Sequence, residues 1–326
     1  NDLCNDRARV TEKNLTSNQE NAMLIKILKI VGFLVLLLLL VAGWFFYTQI
    51  YNYERLPLTV DRGLFPDVNT EAEVDQLAEY LLTQMTLDEK IEQLYGEENS
   101  SLLKLAVNLF VLKRFPHMYI APTERLGIPP FVLSDGPRGA RVADVYGGAT
   151  VFPVAMSRGA SWDVGLEARV NDVIATETRA IGANMAATPC INILRHPGWG
   201  RAQETYGEDP WHVGQFGVAA TKAVQTHNVM ASPKHYALNS IENSRFVVNV
   251  DLDERTLREV YLPHFKKVVQ EGGAATLMSA YNMVRGEYVS NNKYLLTDVL
   301  RDDWGFEGFV HSDWFFAMYD ACLLYT

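Results

Sequence analysis

Cysteine is sparse. Only Cys4, Cys190 and Cys322 occur among 326 residues, and their wide spacing and odd number give neither a disulfide framework nor a zinc-ligand pattern. Cys190 lies in the apolar stretch Thr188-Pro-Cys-Ile-Asn-Ile193 and is expected as a buried core thiol. Positive charge is also short: 29 Lys and Arg against 39 Asp and Glu leave a formal net charge of −10. A nucleic-acid binder normally carries a basic stripe, so that class is disfavoured. No Gly-x-Gly-x-x-Gly opens a strand–helix unit, which argues against a dinucleotide-binding sheet. No fixed-period repeat is present, and His and carboxylate residues do not cluster as metal ligands. The sequence calls for no cofactor and no metal. A neutral ligand such as a sugar needs no net charge to attract it.

What the chain has instead is 48% hydrophobic and 21% charged residues, the balance of a globular protein with a sizeable core. It also has one long apolar run. Lys26 and Lys29 precede an uncharged stretch from Ile30 to Tyr47 that includes Leu36 to Leu40 without interruption. A membrane span needs about 20 mainly apolar residues, and the flanking lysines would leave the C-terminal side outside the cytoplasm. Trp44, Phe45, Phe46 and Tyr47 occupy the place of a small-x-small cleavage site and suit an interfacial belt. An uncleaved signal anchor is therefore expected, with a cleaved signal and a secreted product as the alternative.

The resulting organisation is a polar leader over 1–22, with Met23 as the expected natural start, then a transmembrane helix over 23–50, a linker over 51–66 and a barrel domain over 67–326. Thr70-Glu-Ala-Glu73 and Thr86-Leu-Asp-Glu89 are capping boxes that predict two helices, the second ending at Gly96. From Ile128 onward, short apolar runs at Phe131–Leu133, Val151–Ala155, Met185–Ile193, Val229–Ala231, Ala274–Met278 and Gly308–Val310 read as strands. Amphipathic stretches at Val164–Ile181, Val213–Thr226, Glu254–Glu271 and Leu295–Asp303 read as helices. Strand–helix alternation implies a parallel α/β sheet. Polar clusters follow the strands: Asp135 the first, Lys234 and His235 the fourth, Tyr281 the fifth and Asp313 the last. Chemistry gathers at C-terminal strand ends in a (β/α) TIM-type barrel. Six strand candidates appear where a full barrel has eight, so some strands are unseen or absent, and a barrel incomplete at its C-terminal end is expected.

Taken singly, Asp135 also reads as a turn former, Asp313 as a helix N-cap and His235 as a core histidine. Four segments in order point further: Leu133-Ser-Asp-Gly-Pro-Arg-Gly-Ala-Arg141, Gly200-Arg-Ala-Gln-Glu-Thr-Tyr-Gly-Glu-Asp-Pro210, Ala231-Ser-Pro-Lys-His-Tyr-Ala-Leu-Asn239 and Gly308-Phe-Val-His-Ser-Asp-Trp314. Together they resemble the signatures of the N-terminal barrel of glycoside hydrolase family 3, over roughly Asp61 to Trp314. The resemblance implies a retaining β-glucosidase mechanism, in which one carboxylate attacks the anomeric carbon and a second carboxyl group serves as acid and base. It makes Asp313 the nucleophile and Asp135, Arg141, Arg201, Lys234, His235, Arg245, Tyr281 and Trp314 the sugar contacts, with Glu204 orienting a cation. The aspartate at 135 leans towards glucose or a similar hexose, so the implied partners are β-linked glucosides or oligosaccharides.

Two departures from the family pattern follow. Lys234-His235 is not continued as Pro-Gly-His-Gly, which disfavours the N-acetylglucosaminidase branch. The resemblance puts the acid/base group of the remaining branch in a second α/β domain, and no residue up to Thr326 is assigned to it. The chain is thus expected to be weak or inactive alone, with a membrane-tethered sugar-binding pseudoenzyme as the alternative.

Overall fold

The computed structural model describes residues 23, 25–45, 47, 70–94, 118–120, 123–141 and 148–313. The chain divides into two units, Asn1–Arg55 and Leu56–Thr326. In the first, helix α1 (Ile25–Phe45) has 21 residues and a mean hydropathy of 2.7, with none of its apolar window buried. By length and composition it could cross a membrane. A signal sequence has the same properties.

The second unit opens with α2 (Glu71–Gln84) and α3 (Leu87–Glu92), and both expected capping boxes are formed. Thr70 Oγ1 accepts from Glu73 N at 3.3 Å while Glu73 Oε2 accepts from Thr70 N at 3.0 Å. Each reciprocal pair satisfies two amides that the helix cannot bond itself. Neither helix buries a residue. The expected stop at Gly96 and the linker over 51–66 lie outside the described residues.

Strand β1 (Met118–Ile120) pairs antiparallel with β2 (Phe131–Asp135). From β2 the order is parallel: β3 (Met185–Ala187) joins β2, and β4 (Met230–Ala231) joins β3. After Ser232 and Pro233 the chain continues as β5 (Lys234–Tyr236), tied to the β3 segment by a bridge between Cys190 and Lys234. Strand β6 (Asn249–Val250) belongs to a separate ribbon. Strand β7 (Thr276–Ser279) pairs parallel with β5, β8 (Met283–Val284) and β9 (Glu287–Tyr288) complete the ribbon with β6, and β10 (Phe309–His311) pairs parallel with β7. Strands β2, β3, β5 and β7 are buried on both faces, as parallel strands covered by helices are. Leu133, Met185, Ala187 and Met278 point inward with Phe131, Met230 and Phe309 around them. The Phe131 and Phe309 rings stack at 5.2 Å, bringing the first and last parallel strands face to face.

Helices α4 (Ala155–Gly159) and α5 (Val164–Ala180) connect β2 to β3, and α6 (Pro210–Gln225) connects β3 to β4. Asp163 and Asp209 cap α5 and α6 by accepting from Leu166 N at 2.8 Å and His212 N at 2.7 Å. After β6, α7 (Pro263–Gln270) and the wide-turned helix α8 (Tyr294–Asp303) cover β7 and β10 with a core that includes Leu257, Phe265, Leu277, Leu295 and Val299. Backbones approach closely there: a Cβ on Gly308 would sit 2.1 Å from Ala275 O. Cys190 is buried as expected, and burial pushes its thiol up to about 12.

Three expectations need correction. Val151–Ala155 is not a strand: Phe152 N donates to Arg138 O at 2.8 Å, Pro153 has no amide to donate, and Ala155 begins α4. Lys234 and His235 do not follow a strand but form one, because Pro233 splits the run and a new strand starts beyond it. Glu254–Glu271 is not one helix. Leu262 N reaches back five residues to Leu257 O at 3.1 Å, and Pro263 starts α7 afresh.

His264, at the start of α7, is buried with Nδ1 unpartnered, and burial lowers its pKa to about 3. The unfolded chain, with a normal histidine near 6.5, takes up this proton first as pH falls. Stability is therefore present above pH 6.5 and is lost towards pH 3, by up to about 1.4 kcal/mol per pH unit. His264→Phe should make this acid slope shallower by close to one proton in urea unfolding at pH 6, 5 and 4. An unchanged slope would contradict the assignment.

Candidate active site

The C-terminal ends of β2, β7 and β10, the start of β5 and the loop before α6 bring the polar residues together. Asp135 is the last residue of β2, and its Oδ1 accepts from Gly136 N at 3.0 Å and from Lys234 Nζ, on β5, at 2.7 Å. Burial raises the Asp135 pKa, but Lys234 outweighs it with help from Arg201 and Arg141, and the net shift is downward. Arg141 is exposed, and its amide donates to Ser134 Oγ at 3.0 Å and Asp135 O at 3.1 Å, which closes the loop behind the carboxylate.

Arg201 enters from the loop before α6. Glu204, three residues on, holds it in a two-pronged pair at 3.0 and 2.7 Å. The remaining prong, Nη1, lies 2.8 Å from His235 Nε2. A guanidinium has no lone pair to offer, so Nε2 must accept and the imidazole proton must sit on Nδ1. There it faces Asn192 Oδ1 at 3.1 Å. Asn192 also receives His235 N at 2.8 Å and donates to His235 O at 2.8 Å, gripping both ring and backbone. Burial first, then the charges of Arg201, Lys234 and Arg245, drive the His235 pKa well below its ordinary value.

Asp313, just past β10, is buried, and its Oδ2 lies 3.6 Å from His235 Nε2. With His235 neutral this is not an ion pair. Tyr281, just past β7, hydrogen-bonds Asp313, and its phenol pKa is raised by burial first and by that carboxylate second. Arg245 lies over the Tyr281 ring at 4.6 Å and is held by Glu242 at 2.8 Å. The other Glu242 oxygen takes Trp199 Nε1 at 3.0 Å. The arrangement sets hydrogen-bond donors and acceptors around one buried carboxylate. Among the described residues no group of His, Cys, Asp and Glu could hold a metal ion.

Residues 115–325 match the family model described as "Glycosyl hydrolase family 3 N terminal domain". The chain belongs to glycosyl hydrolase family 3. Over 238 residues it is 38% identical to beta-glucosidase B of Emericella nidulans, covering 72% of this chain and 26% of the relative. It is 41% identical to thermostable beta-glucosidase B of Acetivibrio thermocellus over 202 residues, covering 59% of this chain and 27% of the relative. The solved structure of beta-glucosidase 3B from Thermotoga neapolitana in complex with glucose superposes with a TM-score of 0.66 at 37% identity, over 72% of this chain and 33% of that one. The chain thus spans about a quarter of the length of the curated relatives it matches.

The structure brings together eight of the residues expected from sequence, namely Asp135, Arg201, Glu204, Lys234, His235, Arg245, Tyr281 and Asp313. Arg141 stands at the edge, and Trp314 lies outside the described residues. Asn192, Trp199 and Glu242 were missed. Glu242 precedes Arg245 by the same three-residue spacing that marks Arg201 and Glu204, a signal open to reading. Asn192 carries no such mark.

The proton assignment can be checked directly. Nitrogen-15 spectra of histidine-labelled protein should show His235 neutral, with its proton on Nδ1, and with no titration between pH 8 and 5. A midpoint near 6.5 would rule out the Arg201 donor geometry.

Proposed function

We propose that this domain is the sugar-holding barrel of a retaining β-glucosidase and that Asp313 is its nucleophile. The observation that carries this reading is the meeting of Asp313, Tyr281, His235, Arg201 and the Asp135–Lys234 pair, drawn from neighbouring strands and the loop before α6. The similarity to beta-glucosidases, one of them solved with glucose, supports it. Asp313 would attack the anomeric carbon as the glycosidic C–O bond breaks, the bonding pair leaving with the aglycone oxygen, and water would later cleave the glycosyl ester. Lys234, Arg201 and His235 would meet the sugar hydroxyls, with Glu204 orienting Arg201. Asp135 would accept from the outer hydroxyls of a hexose. Arg245 would shape the wall beside Tyr281, Arg141 would add charge at the rim, and Trp314 would offer an aromatic face.

The acid/base step is assigned to no residue of this sequence. In the family pattern it belongs to a second α/β domain of the whole protein. General acid catalysis is typically worth 10²–10⁴-fold, so a test of Asp313 should avoid depending on it. A 2-deoxy-2-fluoro-β-glucoside of dinitrophenol does so, because its leaving group departs as a stable anion. Asp313 should become glycosylated, the sugar mapping by mass spectrometry to the peptide containing His311-Ser-Asp-Trp314, and Asp313→Ala should abolish the label. Equal labelling of that variant, or labelling elsewhere in a protein that turns over ordinary aryl glucosides, would remove Asp313 from the mechanism.

The apolar helix α1 supports a second part of the proposal, that the domain is tethered outside the cytoplasm. The protein should then pellet with membranes and resist alkaline carbonate extraction. A soluble, shortened product would mean a cleaved signal and secretion.

A further inference from the structure

Away from the site, one charged pair is completely enclosed. Arg158 in α4 is 3% exposed and Glu167 in α5 is 0% exposed. Arg158 Nε donates to Glu167 Oε2 at 2.6 Å and Nη2 to Oε1 at 3.1 Å. Two further donors converge on Oε1, Tyr206 Oη at 2.7 Å and Asn171 Nδ2 at 2.6 Å. Arg158 also spends Nη1 on Pro153 O and Nη2 on Pro137 O, the latter at 3.0 Å. Burying two charges is costly, and an apolar pair of the same volume is often as stable or more so. A fold that needed only packing here would gain little from such a pair.

The partners explain its presence. Pro137 lies two residues beyond Asp135, in the loop that presents that carboxylate. Tyr206 lies two residues beyond Glu204, in the loop that carries Arg201. One ion pair thus reaches into both loops. Backbone contact adds to the tie: a Cβ on Gly159, next to Arg158, would fall 2.1 Å from Tyr206 O, so α4 presses on the Arg201 loop with no side chain between.

Resting on the reading above, we infer that Arg158, Glu167 and Tyr206 are positioning residues, which set the spacing between Asp135 and Arg201 and so the fit to the sugar hydroxyls. They touch no substrate. Losing the tie should leave each loop individually intact and their separation loose. The energetics favour this view, because hydrogen bonds to charged groups in a water-free interior are directional and strong.

Two variants test it. Tyr206→Phe removes the hydroxyl that links Glu167 to the Arg201 loop and keeps the ring. Arg158→Lys keeps the charge but has three donors on one nitrogen, too few for the four acceptors that the guanidinium serves, both Glu167 oxygens, Pro153 O and Pro137 O. Hydrogen exchange followed by mass spectrometry should show about tenfold faster exchange over 200–208 in Tyr206→Phe, and over both 135–141 and 200–208 in Arg158→Lys. Helix α5 should stay protected. Glucose should bind each variant about tenfold more weakly than the unaltered protein, with the melting temperature of Tyr206→Phe within a few degrees of it. Unchanged exchange in these loops, or glucose affinity retained while only the melting temperature falls, would overturn the inference. If Arg158→Lys does not fold, Tyr206→Phe decides alone. If the unaltered protein binds no glucose, the glucosidase reading fails, while the exchange arm still decides whether the ion pair couples the loops.

Discussion

A guanidinium can donate five hydrogen bonds and accept none, and the fixed orientation of Arg201 follows from that asymmetry. Glu204 occupies two of its donors, leaving Nη1 aimed at His235 Nε2. The imidazole must then be neutral, its proton must face Asn192, and Asp313 sees a lone pair at 3.6 Å instead of a cation. If His235 were charged, it would bind Asp313 and compete with any substrate for the carboxylate. His235 thus meets Asp313 as a neutral ring.

The charged groups of the site gather at one end of the strands, beyond an apolar layer. Side chains alternate along β2, so Phe131, Leu133 and Asp135 share one face: Leu133 joins the apolar interior with Met185 and Met278, and Asp135, two residues on at the strand end, meets Lys234. Stacked Phe131 and Phe309 close the layer beneath, where an unpaired charge would be expensive. The charges are affordable only at the rim, where Asp135 keeps partial contact with solvent and Lys234 keeps its partner. The histidines obey the same constraint. His311 Nε2 accepts from the Ser232 hydroxyl at 2.7 Å, its Nδ1–H donates to Ser312 O at 2.9 Å, and burial lowers its pKa to about 4. Neutral imidazoles serve as hydrogen-bonding spacers between strands.

Much of this was legible in the residues. The two capping boxes formed as read, since their bonds join groups three residues apart. Four helices lie where amphipathic spacing put them, although Pro263 split one. Asp135, Arg201, Glu204, Lys234, His235 and Asp313 were legible because the four quoted segments carry them. Val151–Ala155 failed because a short apolar run has no period that separates strand from loop, and Pro153 with Arg138 O settled the matter through a distant contact. Glu242 escaped because an acidic residue in a polar stretch reads as solvated surface until Trp199, 43 positions away, closes on it.

By itself the sequence determined the local features: the capped helix starts, the apolar helix near the N-terminus, the alternation of strand and helix, and the identity of the charged groups. These depend on neighbours within a few positions, where side-chain type and spacing suffice. Tertiary structure alone decided which charges meet. Lys234 finds Asp135 across 99 positions, His235 takes its proton state from Arg201 across 34, and Glu167 gathers Arg158 from α4 and Tyr206 from the Arg201 loop. Such pairings depend on how strands order and curl. That order follows from the burial of the whole apolar set, which no single segment contains.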